Sequence, residues 1–115
     1  MSGEAGDACR ALDELLEERN LERLDKVATM IYREFLSSER PQYSVVDKLA
    51  SAVSPHVAEA GLFEALRVAE VRKEYRDVAE VVQRILAGLG RVECLEKALE
   101  ACRRIAILAL SKRFR

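Results

Sequence analysis

Residues 78–89 carry apolar side chains at the spacing of one helix face, and this pattern constrains the fold more than any other feature of the chain. The apolar positions follow the order i, i+3, i+4, i+7, i+8 and i+11, at Val78, Val81, Val82, Ile85, Leu86 and Leu89. This period matches the 3.6 residues of an α-helical turn, whereas a strand has a period of two. We therefore predict an amphipathic helix here, with its apolar side in the core.

Similar stripes recur along the rest of the chain, and no segment shows the alternation of a half-buried strand. Breaks between stripes are predicted near Asn20, over residues 38–43, and at Gly61, Tyr75 and Gly88 to Gly90. A length of 115 residues, half of them hydrophobic, is typical of one domain with one core. We predict an all-α fold of five or six antiparallel helices, either a bundle or a short α-solenoid. It forms a single domain over residues 1–115, with 1–7 as a candidate disordered segment and 38–43 as a loop.

Polar residues and turn formers at these breaks predict how the helices begin and end. We expect Asn20, Ser44 and Asp77 to cap the second, third and fifth helices, because their short side chains accept hydrogen bonds from free backbone N–H groups. Gly88 and Gly90 are expected to close the fifth helix in the left-handed conformation that glycine tolerates. Pro55 fits either the first position of a new helix or a kink within a longer one.

Two short segments of the chain are nearly the same. GLFEALRVA at 61–69 and GRVECLEKA at 90–98 match at four positions, 29 residues apart. A repeated helix-turn-helix unit of this length is typical of stacked hairpins. Residues 55–110 resemble the tetratricopeptide-like superfamily of helical hairpins through Gly61, Leu66, Ala69, Gly90, Leu95 and Ala98. The resemblance implies antiparallel helices joined by short turns, which an ordinary helical bundle predicts equally.

The three cysteines are Cys9, Cys94 and Cys102. Cys94 and Cys102 lie about 12 Å apart on a helix, too far for a disulfide, which needs Cα atoms within about 7 Å. Buried free thiols are expected, while a bridge from Cys9 to either of the others stays open. One Asn, one Thr and two Gln stand against 39 charged residues, a composition typical of hyperthermophile proteins, which form intracellular disulfides.

No sequence feature indicates catalysis. His56 is the one histidine, and beside Pro55 we expect it to face solvent or cap a helix. The chain has neither the cysteine and histidine spacing of a zinc site nor a phosphate-binding or nucleophile motif. We predict a protein that is not an enzyme, with no catalytic residue, metal or cofactor. The acidic N-terminus without a long apolar run predicts a cytoplasmic protein with no membrane span.

The last helix, predicted from about Arg91 to Arg113, has an apolar face wider than half its circumference. One side carries Val92, Leu95, Leu99, Cys102, Ala106 and Ala109, and Ile105, Ile107 and Leu108 widen it. Such a helix is central or packs against a second chain. We predict an interface at Ile107, Leu108 and Leu110 that forms a homodimer or binds another protein. In the alternative, the N-terminal helix of the same chain covers this surface and leaves a monomer.

Charge is unevenly distributed. Residues 1–20 hold six acids and two bases, whereas the C-terminus has a candidate basic patch of Arg103, Arg104, Lys112, Arg113 and Arg115. These cations either suit the helix C-terminus, with Arg113 and Arg115 reaching acids of the first helix across an interface, or bind phosphates. We therefore expect a protein-interaction module. The alternative is a small helical nucleic-acid-binding subunit of a nucleoprotein complex, of the CRISPR-effector small-subunit type. The net charge of −1 and the few aromatic residues favour the first.

Overall fold

The computed structural model describes residues 2–114, with side chains from Asp7 onward. Six α-helices pack together, and no strand occurs between residues 2 and 114, so the predicted all-α fold is confirmed. The candidate disordered segment 1–7 lies mostly outside the described side chains. The helices are α1 Ser2–Leu16, α2 Leu21–Ile31, α3 Tyr43–Ala50, α4 Pro55–Val71, α5 Arg76–Leu89 and α6 Leu95–Arg113.

Three of the helices begin in the same way. A short 3₁₀ segment precedes α2, α5 and α6, and it ends at Asn20, Tyr75 and Cys94. The backbone angles of these residues are nearly equal: φ −105° and ψ 10°, φ −108° and ψ 20°, and φ −110° and ψ 1°. Each segment turns the chain sharply into the next helix, so successive helices pack side by side.

The repeat visible in the sequence does not coincide with this structural repeat. Residues 61–69 lie wholly inside α4, whereas residues 90–98 start in the turn before α6 and run into that helix. The two copies therefore occupy different places in their helices. The tetratricopeptide-like resemblance stays a prediction.

Four of the five predicted breaks are confirmed, and the break at Gly61 is wrong. The helix α4 is continuous from Pro55 to Val71, so Pro55 begins a helix, as its fixed φ and missing N–H favour. Gly61 is buried where α4 crosses α3. A Cβ at this position would lie 3.2 Å from both the carbonyl oxygen of Val45 and the Cβ of Lys48. The glycine therefore permits close contact between two helices instead of ending one.

The predicted caps differ in detail from the observed ones. Asn20 stands at the N-cap position of α2, but its side chain does not cap that helix. Its amide instead donates to the carbonyl oxygen of Glu14 at 2.6 Å, in the last turn of α1. Helix α3 begins one residue before Ser44, with no side-chain cap. Asp77 lies in the first turn of α5, where it accepts from the backbone N–H of Val78 at 3.1 Å.

Neither glycine at the end of α5 is left-handed, because no glycine between residues 2 and 114 has positive φ. Gly88 is buried within α5, and Gly90 follows the helix at φ −81°. The first glycine therefore serves packing, and the second lies in an ordinary turn.

Helix α6 is central to the fold and contacts each of the other five helices. Its inner side is built mostly from small residues, which allow close approach: Ala98, Ala101, Cys102, Ile105, Ala106 and Ala109. Val92, predicted on this side, is 87% exposed, because it lies in the 3₁₀ segment before the helix and does not follow the helical period. Leu95 and Leu99 are half-buried.

A disulfide joins Cys9 of α1 to Cys94 at the entry to α6, with the Cα atoms 5.1 Å apart. Of the two bridges left open by the sequence, this is the one that forms, and Cys102 is a free, buried thiol. The two residues are 85 positions apart, and closing a loop of that size stabilises the folded state by about 4–5 kcal/mol in the chain-entropy model. The bond fastens α1 over the core, where Leu12 and Leu15 are fully buried.

We expect Ile85→Ala to lower the free energy of unfolding by about 2–5 kcal/mol, because Ile85 is fully buried and its loss leaves a cavity. Val71→Ala removes two methyl groups from a side chain that is 78% exposed and should change stability by less than about 0.5 kcal/mol. Guanidinium unfolding measures both variants. A loss below about 1 kcal/mol for Ile85→Ala would contradict the central position of α5.

Two glycine substitutions test the contact between α1 and α5. A Cβ at Gly88 would clash with Cδ1 of the fully buried Leu12 and approach Ala98, whereas a Cβ at Gly90 would meet only the carbonyl oxygen of Ala87, at 3.6 Å. We expect Gly88→Ala to destabilise the fold by about 1–3 kcal/mol. Gly90→Ala should stay within about 0.5 kcal/mol of the wild type in thermal unfolding. Equal effects of the two substitutions would contradict this contact.

Candidate protein interface on the last helix

The side of α6 that faces away from the other helices carries a continuous row of residues. They are separated by 3, 4, 4, 3 and 4 positions, so they share one face. We call this row the outer strip: Glu96, Leu99, Arg103, Ile107, Leu110 and Phe114. Ile107 is 65% exposed and Phe114 is 83% exposed, while Leu99 and Leu110 are half-buried. Single exposed apolar residues are ordinary on a protein surface, whereas two along one strip make this face a candidate interaction surface.

An open groove of about 530 Å³ widens the outer strip in its N-terminal half, from Glu96 to Arg103. The end of α1 and the connection between α3 and α4 form its other walls. Val53 in that connection is 92% exposed, so the apolar surface extends beyond α6. The groove has apolar walls and charged edges, and its lining residues are Leu16, Ala52, Val53, Glu96, Lys97, Leu99, Glu100 and Arg103.

The three candidate interface residues do not share one environment. Ile107 points outward, whereas Leu108 and Leu110 are half-buried against the core of the same chain. The helices α1 and α2 both contact α6, so the chain itself covers part of the apolar face that the sequence left without a neighbour. The surface that remains open is the outer strip. Its spacing from residue 96 to residue 114 was visible in the sequence, but only the packing shows which side of the helix is covered.

Two of the candidate basic residues are engaged by the same chain. The guanidinium of Arg104 donates to the carbonyl oxygen of Leu16 at 3.1 Å. Leu16 is the last residue of α1, and the last carbonyl groups of a helix have no N–H donor within that helix. Lys112 Nζ lies 2.8 Å from Asp25 Oδ1 on α2, and its side chain is only 14% exposed. These cations fasten α6 to α1 and α2.

The other basic residues lie elsewhere around the helix. Arg113 donates to the carbonyl oxygen of Leu36, at the end of a π-helical turn, and lies over the ring of Tyr43, 5.3 Å from its centroid. It therefore contacts elements of its own chain, and the predicted reach of Arg113 to an acid of the first helix across an interface stays a prediction. Arg103 lies on the outer strip, and Arg115 is outside the described residues. Three of the four described cations, Arg104, Lys112 and Arg113, thus contact other elements of the same chain.

A cleft of about 240 Å³ separates α2 from α5, and two of its cations are already paired: Lys26 with Asp77 at 3.4 Å and Arg84 with Glu80 at 2.8 Å. His56 is exposed in the first turn of α4. Among side chains 7–114, no three histidines, cysteines or carboxylates converge to hold a metal ion. Every helix within residues 2–114 is too short or too polar to pass through a lipid bilayer.

Cys102 is the free thiol of the chain and lies on the inner side of α6. Burial raises the pKa of the Cys102 thiol from its ordinary value of 9.0 to about 12, and this outweighs a backbone hydrogen bond and the nearby Arg103, which both lower it. The neutral thiol therefore acts as a small apolar side chain. Because the unfolded thiol ionises first, this group favours unfolding as the pH rises above about 9.

We expect Cys102 in the folded protein to resist alkylation. At about pH 8 a thiol with this pKa is ionised in roughly one molecule in ten thousand, and the thiolate is the reactive form. Mass spectrometry after treatment with iodoacetamide should show no label on the folded chain, one label in denaturant, and three in denaturant with reductant. A label acquired by the folded chain at the rate of a free cysteine would contradict this environment.

Comparison of the chain with protein-family models, curated proteins and solved structures found no match.

Proposed function

We propose that this protein is a non-enzymatic interaction module that binds an α-helix of another protein chain along the outer strip of α6. The proposal depends on the exposure of Ile107, on a helix that packs against all five other helices of its own chain, and of Phe114, directly after the end of that helix. An amphipathic helix binds such a surface by inserting apolar side chains at intervals of three and four residues.

Two further features support a protein partner. The outer strip carries Glu96 and Arg103 on either side of Leu99, and the groove beside this end of the strip adds the charges of Lys97 and Glu100. An apolar centre with a charged rim is typical of protein interfaces. The five helices that hold α6, together with the disulfide at its entry, keep the strip in one shape, and a preformed surface loses less entropy on binding.

The nucleic-acid alternative has less support. A protein binds nucleic acid through cations that displace the counterions condensed on the phosphates. Such cations must be free and lie along one continuous surface of the protein. Three of the candidate cations, Arg104, Lys112 and Arg113, are already engaged by groups of the same chain. The net charge of −1 adds no general attraction for phosphates.

Site-specific photo-crosslinking tests this proposal without assuming the partner. Ile107 is replaced by photoreactive benzoylphenylalanine, and Gln83, exposed on α5, is replaced in the control. After illumination in the cells that naturally produce the protein, we expect a discrete protein adduct from position 107 and none from position 83. Absence of an adduct at 107, or equal adducts at both positions, would contradict an interface on the outer strip.

A further inference from the structure

We infer that the partner on the outer strip is a second copy of this chain, with the two α6 helices antiparallel about a two-fold axis beside Leu99. This inference rests on the proposed function and names its partner. The exposed side chains of Ile107 and Phe114 support binding of some partner along the strip. Its charges indicate which chain fits.

Glu96 and Arg103 are opposite charges on the same exposed face. Glu96 is exposed and has no ion pair with another residue among side chains 7–114. Arg103 is 52% exposed in its side chain and has one long contact, 3.7 Å to Glu100. The two charges are seven residues apart, about 10 Å along the helix axis, and so do not pair readily within one chain. Each has room for a partner from outside.

A two-fold axis between positions 99 and 100 pairs these charges twice. It places Glu96 of each copy opposite Arg103 of the other, because a two-fold interface brings the same surface of both copies together. Leu99 then meets the Leu99 of the second copy at the axis. Ile107 lies over position 92, where Val92 is exposed in the 3₁₀ segment before α6, so this register covers the outer strip from Glu96 to Ile107.

The charges also exclude the opposite orientation. In a parallel pair, Glu96 would face Glu96 and Arg103 would face Arg103, and such like-charge contacts act against association. The antiparallel pair instead matches acid to base and sets the two helix dipoles in opposite directions. Specificity for a second copy therefore follows from the order of charges on one helix.

Charge reversal tests this register. Light scattering over a concentration series should show dimers of the wild type. Glu96→Arg and Arg103→Glu should each raise the dissociation constant by at least about tenfold, because each variant alone places like charges opposite one another. An equimolar mixture of the two variants should restore association, since every cross-pair is again acid to base. Glu70→Arg and Arg76→Glu, exposed on α4 and α5, are the matched controls and should leave dimerisation unchanged.

The outcomes separate this inference from the proposed function. Circular dichroism identifies any variant that fails to fold, and the complementation requires two folded chains. The inference is overturned if the wild type stays monomeric up to roughly 1 mM, because at that concentration every complex except a very weak one would form. A mixture that does not associate also overturns it. If photo-crosslinking at Ile107 then yields an adduct with a different protein, the interaction surface stands and only the identity of its partner is wrong. If position 107 yields no adduct, the proposed function itself fails.

Discussion

The whole structure depends on the close packing of five helices against the small side chains of α6. Ala98, Ala101 and Ala106 take little space, so neighbouring backbones come near without leaving cavities. Gly61 and Gly88 serve the same purpose at the contacts of α4 with α3 and of α5 with α1. Because α6 is surrounded in this way, most of its unusually wide apolar face is covered within the chain. The outer strip is what this packing leaves open.

A disulfide and several hydrogen bonds fasten α6 to the rest of the chain, and the hydrogen bonds use the basic residues of this helix. At its entry, the disulfide between Cys9 and Cys94 holds α1 in place. Farther along, Arg104 and Arg113 donate to carbonyl oxygens at the ends of other helical segments, which lack donors of their own. The basic C-terminus thus stabilises the packing of this chain, as favourable pairing between cations and helix C-termini predicts. Arg103 instead contacts Glu100 of the same helix at 3.7 Å, and 52% of its side chain stays exposed.

Much of the fold could be predicted from the sequence, because apolar periodicity reports directly which side of a helix is buried. The stripe of α5 is the clearest case, and Val78, Val82 and Ile85 are buried as predicted. The predicted break at Gly61 was wrong because glycine occurs both at helix ends and where two helices pack closely. The sequence does not show whether another helix lies against the glycine, so it cannot separate the two cases. The outer strip was only partly predictable, through Ile107 and Leu110. Its limits depend on which arc of α6 the other helices cover, and that is a property of tertiary packing.

The four isoleucines of the chain allow self-association through the outer strip to be tested in one measurement. Ile31, Ile85 and Ile105 are fully buried, whereas Ile107 is exposed on the outer strip. Methyl NMR spectra of isoleucine-labelled protein are recorded from micromolar to millimolar concentration. If the outer strip binds a second copy and the fold is unchanged, the methyl signal of Ile107 shifts or broadens with concentration while the other three stay fixed. Four signals that do not change, or equal shifts of the buried three, would contradict a dimer that forms through the outer strip.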